Sequence, residues 1–138
     1  MSNVERADRL GHARAMLFLA MAGLLVLNLA ISIGDFDRSS RLIGWTLMVG
    51  VIALNLTGIG GWFKNAGLRR LLNDEVVQAH RRMAVTTGFW TGLVAMLAAM
   101  FATLSDPLLA LPALASAVTA TLGIALLHFA VLELRAAQ

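Results

Sequence analysis

AMLFLAMAGLLVLNLAISI, residues 15–33, decides what kind of molecule this is. Nineteen consecutive residues carry no charge, and only Asn28 and Ser32 are polar. A bilayer's hydrocarbon core takes roughly 20 apolar residues of helix to cross. Lipid offers no partner to backbone amides and carbonyls, so such a segment must bond to itself as a helix. Working outward, three more stretches pass the same test, at 42–62, 83–104 and 108–132. The stretch at 83–104 is preceded by residues that continue its helix back to 74. The reading is therefore all-α: one transmembrane domain over 1–138, a four-helix bundle with helices near 15–33, 42–62, 74–104 and 108–132.

Composition agrees. Of 138 residues, 59% are hydrophobic and 14% are charged, with a mean hydropathy of +0.78. Ordinary soluble domains carry about 25% charged residues. A soluble chain this short has no core large enough for so much apolar surface. The first apolar run is of spanning length, Glu5 and Asp8 lie in its flank and no small-residue cleavage site follows. It reads as a mature helix rather than a cleaved signal.

Basic residues set the expected orientation. Nine of the eleven fall on one side: Arg6, Arg9 and Arg14 before the first helix, Lys64, Arg69, Arg70, Arg81 and Arg82 between the second and third, and Arg135 near the end. Arg38 and Arg41 fall on the other. The positive-inside rule then puts both termini and the middle loop in the cytoplasm of a bacterial inner membrane. The same residues account for the pI near 11.1. They flank helices, where anionic headgroups attract them, so lipid is the expected partner and direct nucleic-acid binding is not. Trp45 and Trp62 read as interfacial rings near the two ends of the second helix, and Trp90 as a packing residue.

Two runs, LNLAISIG (27–34) and LNLTGIGG (54–61), each place one asparagine in an apolar helix. The helices run in opposite directions, so Asn28 and Asn55 differ in depth by about 10 Å and need separate partners. A threonine hydroxyl, a local carbonyl or a second copy of the chain would serve. Such bonds act as helix-packing and register devices, and no ionisable group lies deep in the helices to make a conducting path. Gly88 and Gly92 form a small-xxx-small pair, a surface that brings helices close and leaves room for a homodimer.

Catalytic and cofactor signals are sparse. Cysteine is absent, which removes thiol chemistry, disulfides and Cys-ligated metals. Gly58, Gly60 and Gly61 close a membrane helix and follow no strand, so they are no nucleotide fingerprint. His12, His80 and His128 all lie toward the expected cytoplasmic ends. Two could ligate haem and three could bind zinc, but no His-x-x-x-His spacing exists and no acid adjoins His128. The expectation is neither an enzyme nor a holder of any metal or cofactor.

The informative exposed stretch is KNAGLRRLLNDEVVQAHRRMAVTTGFW, residues 64–90. Leu68, Leu71 and Leu72 alternate with Arg69 and Arg70, as in a short amphipathic turn on the membrane surface. Asn73 reads as a helix cap, with Asp74 and Glu75 in the first turn beside the positive end of the dipole. The helix would then project as a cytoplasmic extension before entering the membrane. Asp74, Glu75, Val76, Gln78, Ala79, His80, Arg81 and Arg82 are the candidate partner-binding residues, with Val76 and Ala79 supplying apolar area.

LNDEVVQAHRRMAVTTGFW (72–90) resembles the equivalent segment of a loose group of small bacterial four-helix membrane proteins of unknown function. In that group an Asp-Glu pair opens the third helix, basic residues follow, then small residues and an aromatic. Here these are Asp74-Glu75, His80-Arg81-Arg82, Ala84 and Phe89-Trp90. Such proteins are often encoded beside a small helix-turn-helix regulator. The resemblance covers about twenty residues and implies a membrane protein that holds or inhibits a transcription regulator.

The function expected is thus non-enzymatic: a membrane anchoring or regulatory protein that binds, and sequesters, a cytoplasmic protein such as a DNA-binding regulator. Three alternatives stand beside it. The size is similar to small multidrug exporters, but those depend on a glutamate within the first helix and 15–33 has none. A haem-binding redox subunit would use two of the three histidines. An accessory subunit of a larger membrane complex would present the same docking surfaces.

Overall fold

The computed structural model describes residues 3–35, 39–57 and 75–136, with side chains from residue 11 onward. Among the described residues there are four α-helices: α1 (Asn3–Ser32), α2 (Ser39–Thr57), α3 (Glu75–Ser105) and α4 (Ala110–Ala136). All four are long and apolar enough to cross a membrane. The chain is a multi-pass, all-helical membrane protein, and its large apolar side chains stand exposed around the bundle, from Met16 and Leu24 to Phe101 and Leu127. In water such a surface would drive aggregation; against lipid it is the expected exterior.

α1 is longer than the apolar run that announces it, continuing unbroken through Arg14 back to Asn3. It closes where the Asp35 amide donates to the Ser32 carbonyl at 2.9 Å, just past Gly34. α3 has 31 residues, about 46 Å at the helical rise, against a hydrocarbon core of roughly 30 Å. Asp106 accepts from the Leu108 amide at 2.9 Å. It caps a single 3₁₀ turn, Pro107–Leu109, before α4 begins. The proline thus opens that turn rather than α4 itself, because proline brings a preset φ and no N–H that needs a partner.

α4 is the hub. It packs along its length against α3 on one side and α1 on the other, while α2 touches the other three only sparingly. The core follows from this. Ala15, Phe18, Ala22 and Leu25 make the buried stripe of α1, and Ala125, Leu126, Phe129 and Ala130 are buried on α4. Phe18 and Phe129 meet with ring centroids 4.5 Å apart. α3 contributes small residues instead: Ala84, Gly88, Gly92 and Ala99. A Cβ added to Gly88 would stand 2.9 Å from the Ala125 Cβ, and one added to Gly92 would stand 2.8 Å from the Thr121 Oγ1. The small-residue face is therefore filled by the chain's own α4. Between apolar helices in lipid, association rests on such close packing rather than on a hydrophobic force.

The tryptophans reverse their expected places. Trp45 is buried at 8% exposure and packs against Ala115. Trp90 is 60% exposed and meets Phe89 edge-on. Depth along a helix, which sequence gives, is independent of rotation about it, which packing decides. Trp62 lies outside the described residues.

Candidate functional site

Antiparallel packing around α4 brings charged side chains together at one end of the bundle. On α3, steps from His80 through Gly88 to Gly92 run against steps on α4 from Glu133 through Ala125 to Thr121. On α1, Arg14 lies one turn before Phe18, and on α4 Glu133 lies one turn after Phe129. The contact of the two rings therefore places guanidinium and carboxylate face to face. The close approach at the glycines carries His80 within reach of the same carboxylate.

Glu133 is the centre. One of its oxygens, Oε1, is 2.9 Å from His80 Nδ1, and Oε2 is 3.6 Å from Arg14 Nη1. The side chains are 5% (Glu133), 11% (His80) and 17% (Arg14) exposed. Arg81, on the neighbouring α3 position, is half-buried at the same end, where desolvation acts on its charge first, then repulsion from Arg14 and attraction to Glu133. Arg14 and His80 thus share one buried carboxylate, with Arg81 nearby. Arg14 Nε and Nη1 and Arg81 Nε are buried with no hydrogen-bond acceptor among the described residues. A buried charge without a matched partner is costly, and among the described residues this end of the bundle holds more donors than acceptors that satisfy them.

A second polar contact lies deeper. Thr87 Oγ1 is 2.8 Å from His128 Nδ1 and 3.0 Å from the Met83 carbonyl. The ring of His128 is thereby oriented by a hydroxyl rather than by an acid. His80 is engaged with Glu133, and His12 has a partner of its own. Among the described residues no three His, Asp or Glu side chains gather as a metal site.

The candidate partner-binding residues divide by face. Val77, Ala84 and Gly88 turn inward, and His80 and Arg81 lie with them at the bundle's edge. Glu75, Val76, Gln78, Ala79, Arg82 and Met83 are exposed. Of these, Glu75, Gln78, Ala79, Arg82 and Met83 line one open groove of about 520 Å³. That spacing of three and four is a single helix face. His80, expected on the docking face, is instead held by Glu133. Asp74, the cap Asn73 and the amphipathic stretch around Arg69 and Arg70 lie outside the described residues.

The packing asparagines separate. Asn55 is exposed, and its Nδ2 donates to the Val51 carbonyl of its own helix at 3.1 Å. Asn28 is half-buried, with Oδ1 buried and without a hydrogen bond among the described residues. Neither joins two helices in this structure.

Sequence reasoning missed Glu133, and with it Arg14 and Thr87 as site residues. The available signal was Glu133 itself, the one acidic residue after Asp106, set between Leu132 and Leu134. No protein family model, no curated protein and no solved structure matches this chain.

Proposed function

We propose that this protein is a non-enzymatic membrane anchor whose α3 N-terminal turns dock a cytoplasmic protein, a small helix-turn-helix regulator being the occupant its sequence resemblance favours. Both termini and the start of α3 face the cytoplasm, an orientation supported by the nine-to-two division of basic residues. The observation that carries the reading is the sorting of side chains around the first turns of α3. One side is tied to Glu133 through His80, so the helix cannot rotate freely. The opposite side presents Glu75, Gln78, Ala79, Arg82 and Met83 as a mixed acidic, basic and apolar face. Helix-face recognition uses residues at this spacing.

The test is a pull-down from native membranes in mild detergent, using a C-terminal tag, with mass spectrometry of what is retained. A small soluble DNA-binding protein is expected with the wild-type chain. Replacing Glu75→Lys together with Ala79→Arg should reduce its recovery by roughly tenfold, the effect of about 1.4 kcal/mol at the interface. Equal recovery with the double variant, or no soluble protein at all, overturns the reading. Large membrane subunits in its place would make the chain an accessory subunit.

Glu133 gives one specific reason for a second reading as a small transporter, because buried ionisable groups in membrane helices commonly mark substrate or proton paths. Proton-coupled uptake by proteoliposomes, lost in Glu133→Gln, would establish it.

A further inference from the structure

Beside the docking face lies a different opening, between the C-terminal end of α2 and the start of α3. It is about 470 Å³ and is lined by Leu56, Thr57, Arg81, Arg82, Val85 and Thr86. We propose that this groove binds an anionic phospholipid, with the phosphate on Arg81 and Arg82 and an acyl chain along the exposed Val85, over the buried Leu56.

Three observations converge on that occupant. Charge is the first. Arg81 and Arg82 both line the groove, and Arg81 Nε is buried with no acceptor among the described residues. An anion at the mouth of the groove supplies the missing acceptor and offsets the repulsion between Arg14 and Arg81. The hydroxyls are the second. Thr57 donates to the Leu54 carbonyl and Thr86 to the Arg82 carbonyl. Both protons are therefore spent within their own helices, which leaves the arginines as the donors to an anion among the described lining residues. The third is the packing of α2, the least engaged of the four helices. A helix that leans so lightly on its neighbours leaves an apolar seam open to the bilayer at Val85, with the buried Leu56 as its floor. A soluble anion would use the arginines but has no need of that seam. Basic pockets between membrane helices are a general form of anionic-lipid site.

The groove adjoins the partner-binding face at Arg82 alone, and the test uses the purified chain with no protein partner. Native mass spectrometry of the detergent-solubilised protein, titrated with phosphatidylglycerol or phosphatidylcholine, reads the bound lipid. Wild type should retain one phosphatidylglycerol in preference to phosphatidylcholine. The variant R81Q/R82Q should weaken phosphatidylglycerol binding by roughly thirtyfold, the loss of two surface-level arginines. Arg41→Gln, exposed near the start of α2, should leave binding unchanged. Val85→Trp keeps both arginines but fills the apolar seam, and should also abolish retention; it decides the matter if R81Q/R82Q does not fold. Equal binding of the two lipids, retention by R81Q/R82Q or by Val85→Trp, or loss in Arg41→Gln would each overturn the proposal. So would displacement of the lipid by inorganic phosphate alone, which would assign the arginines to a soluble anion.

Discussion

Removing the carboxylate of Glu133 should be the most damaging single change at the charged end of the bundle. Glu133→Leu keeps the volume but leaves Arg14 and Arg81 at this end without the carboxylate that offsets their charge. The attraction lost can be bounded from the geometry. Unit charges 3.6 Å apart interact by about 4–5 kcal/mol at an effective dielectric near 20. Desolvation of the pair opposes that sum, but removing one member alone leaves the other's desolvation uncompensated. Such changes cost about 3–5 kcal/mol. Arg14→Met should cost less, because Glu133 keeps its 2.9 Å contact with His80 and its attraction to Arg81. In the double variant Arg14→Met/Glu133→Leu, one of the two stranded cations is gone. Its cost should fall below the sum of the singles by about 1 kcal/mol or more. Equilibrium unfolding in mixed detergent micelles, followed by circular dichroism, measures all four corners of the cycle. Additivity within about 0.5 kcal/mol, or a Glu133→Leu variant as stable as wild type, would refute the view that these groups act as one unit.

The packing makes further predictions. Gly92→Ala should cost about 1–3 kcal/mol by overpacking, because its Cβ would meet Thr121 Oγ1 at 2.8 Å and Cγ2 at 3.1 Å. Thr121→Ala removes both atoms and should restore most of the loss in the same unfolding assay. Phe129→Ala should cost about 3 kcal/mol or more through the cavity left beside Phe18, seen as a lower unfolding midpoint. Asn55→Leu should change stability by less than about 1 kcal/mol, since its amide serves only its own helix on an exposed surface. The purified protein grown with haem should show no Soret band, because His80 is held by Glu133 and His128 by Thr87; a band would return the histidines to a redox role.

The spans were legible because lipid imposes a local demand. A helix satisfies its own backbone, so length and hydropathy suffice to find it, as residues 15–33 show. The close approach of α3 was also foreshadowed, since Gly88 and Gly92 are informative through what they lack. Even so, sequence left open whether they meet another helix or another copy, and the structure fills them with Thr121 and Ala125.

Rotation was the quantity sequence could not supply. In a soluble helix the polar face points to water and the apolar face inward, so periodicity reveals the buried side. In a membrane helix both faces are apolar, and that contrast disappears. Trp90, expected to pack, therefore stands exposed while Trp45 is buried, and His80 turned from the docking face toward Glu133. The charged cluster depends on rotation and register together. Arg14, His80 and Glu133 lie 66 and 53 positions apart in sequence and meet only because Phe18 packs against Phe129 and Gly88 admits Ala125. The chain alone determines that there are four apolar helices and which of their ends are basic. Only the tertiary structure, by fixing how each helix is turned about its axis, decides that a single carboxylate gathers the cations at one end.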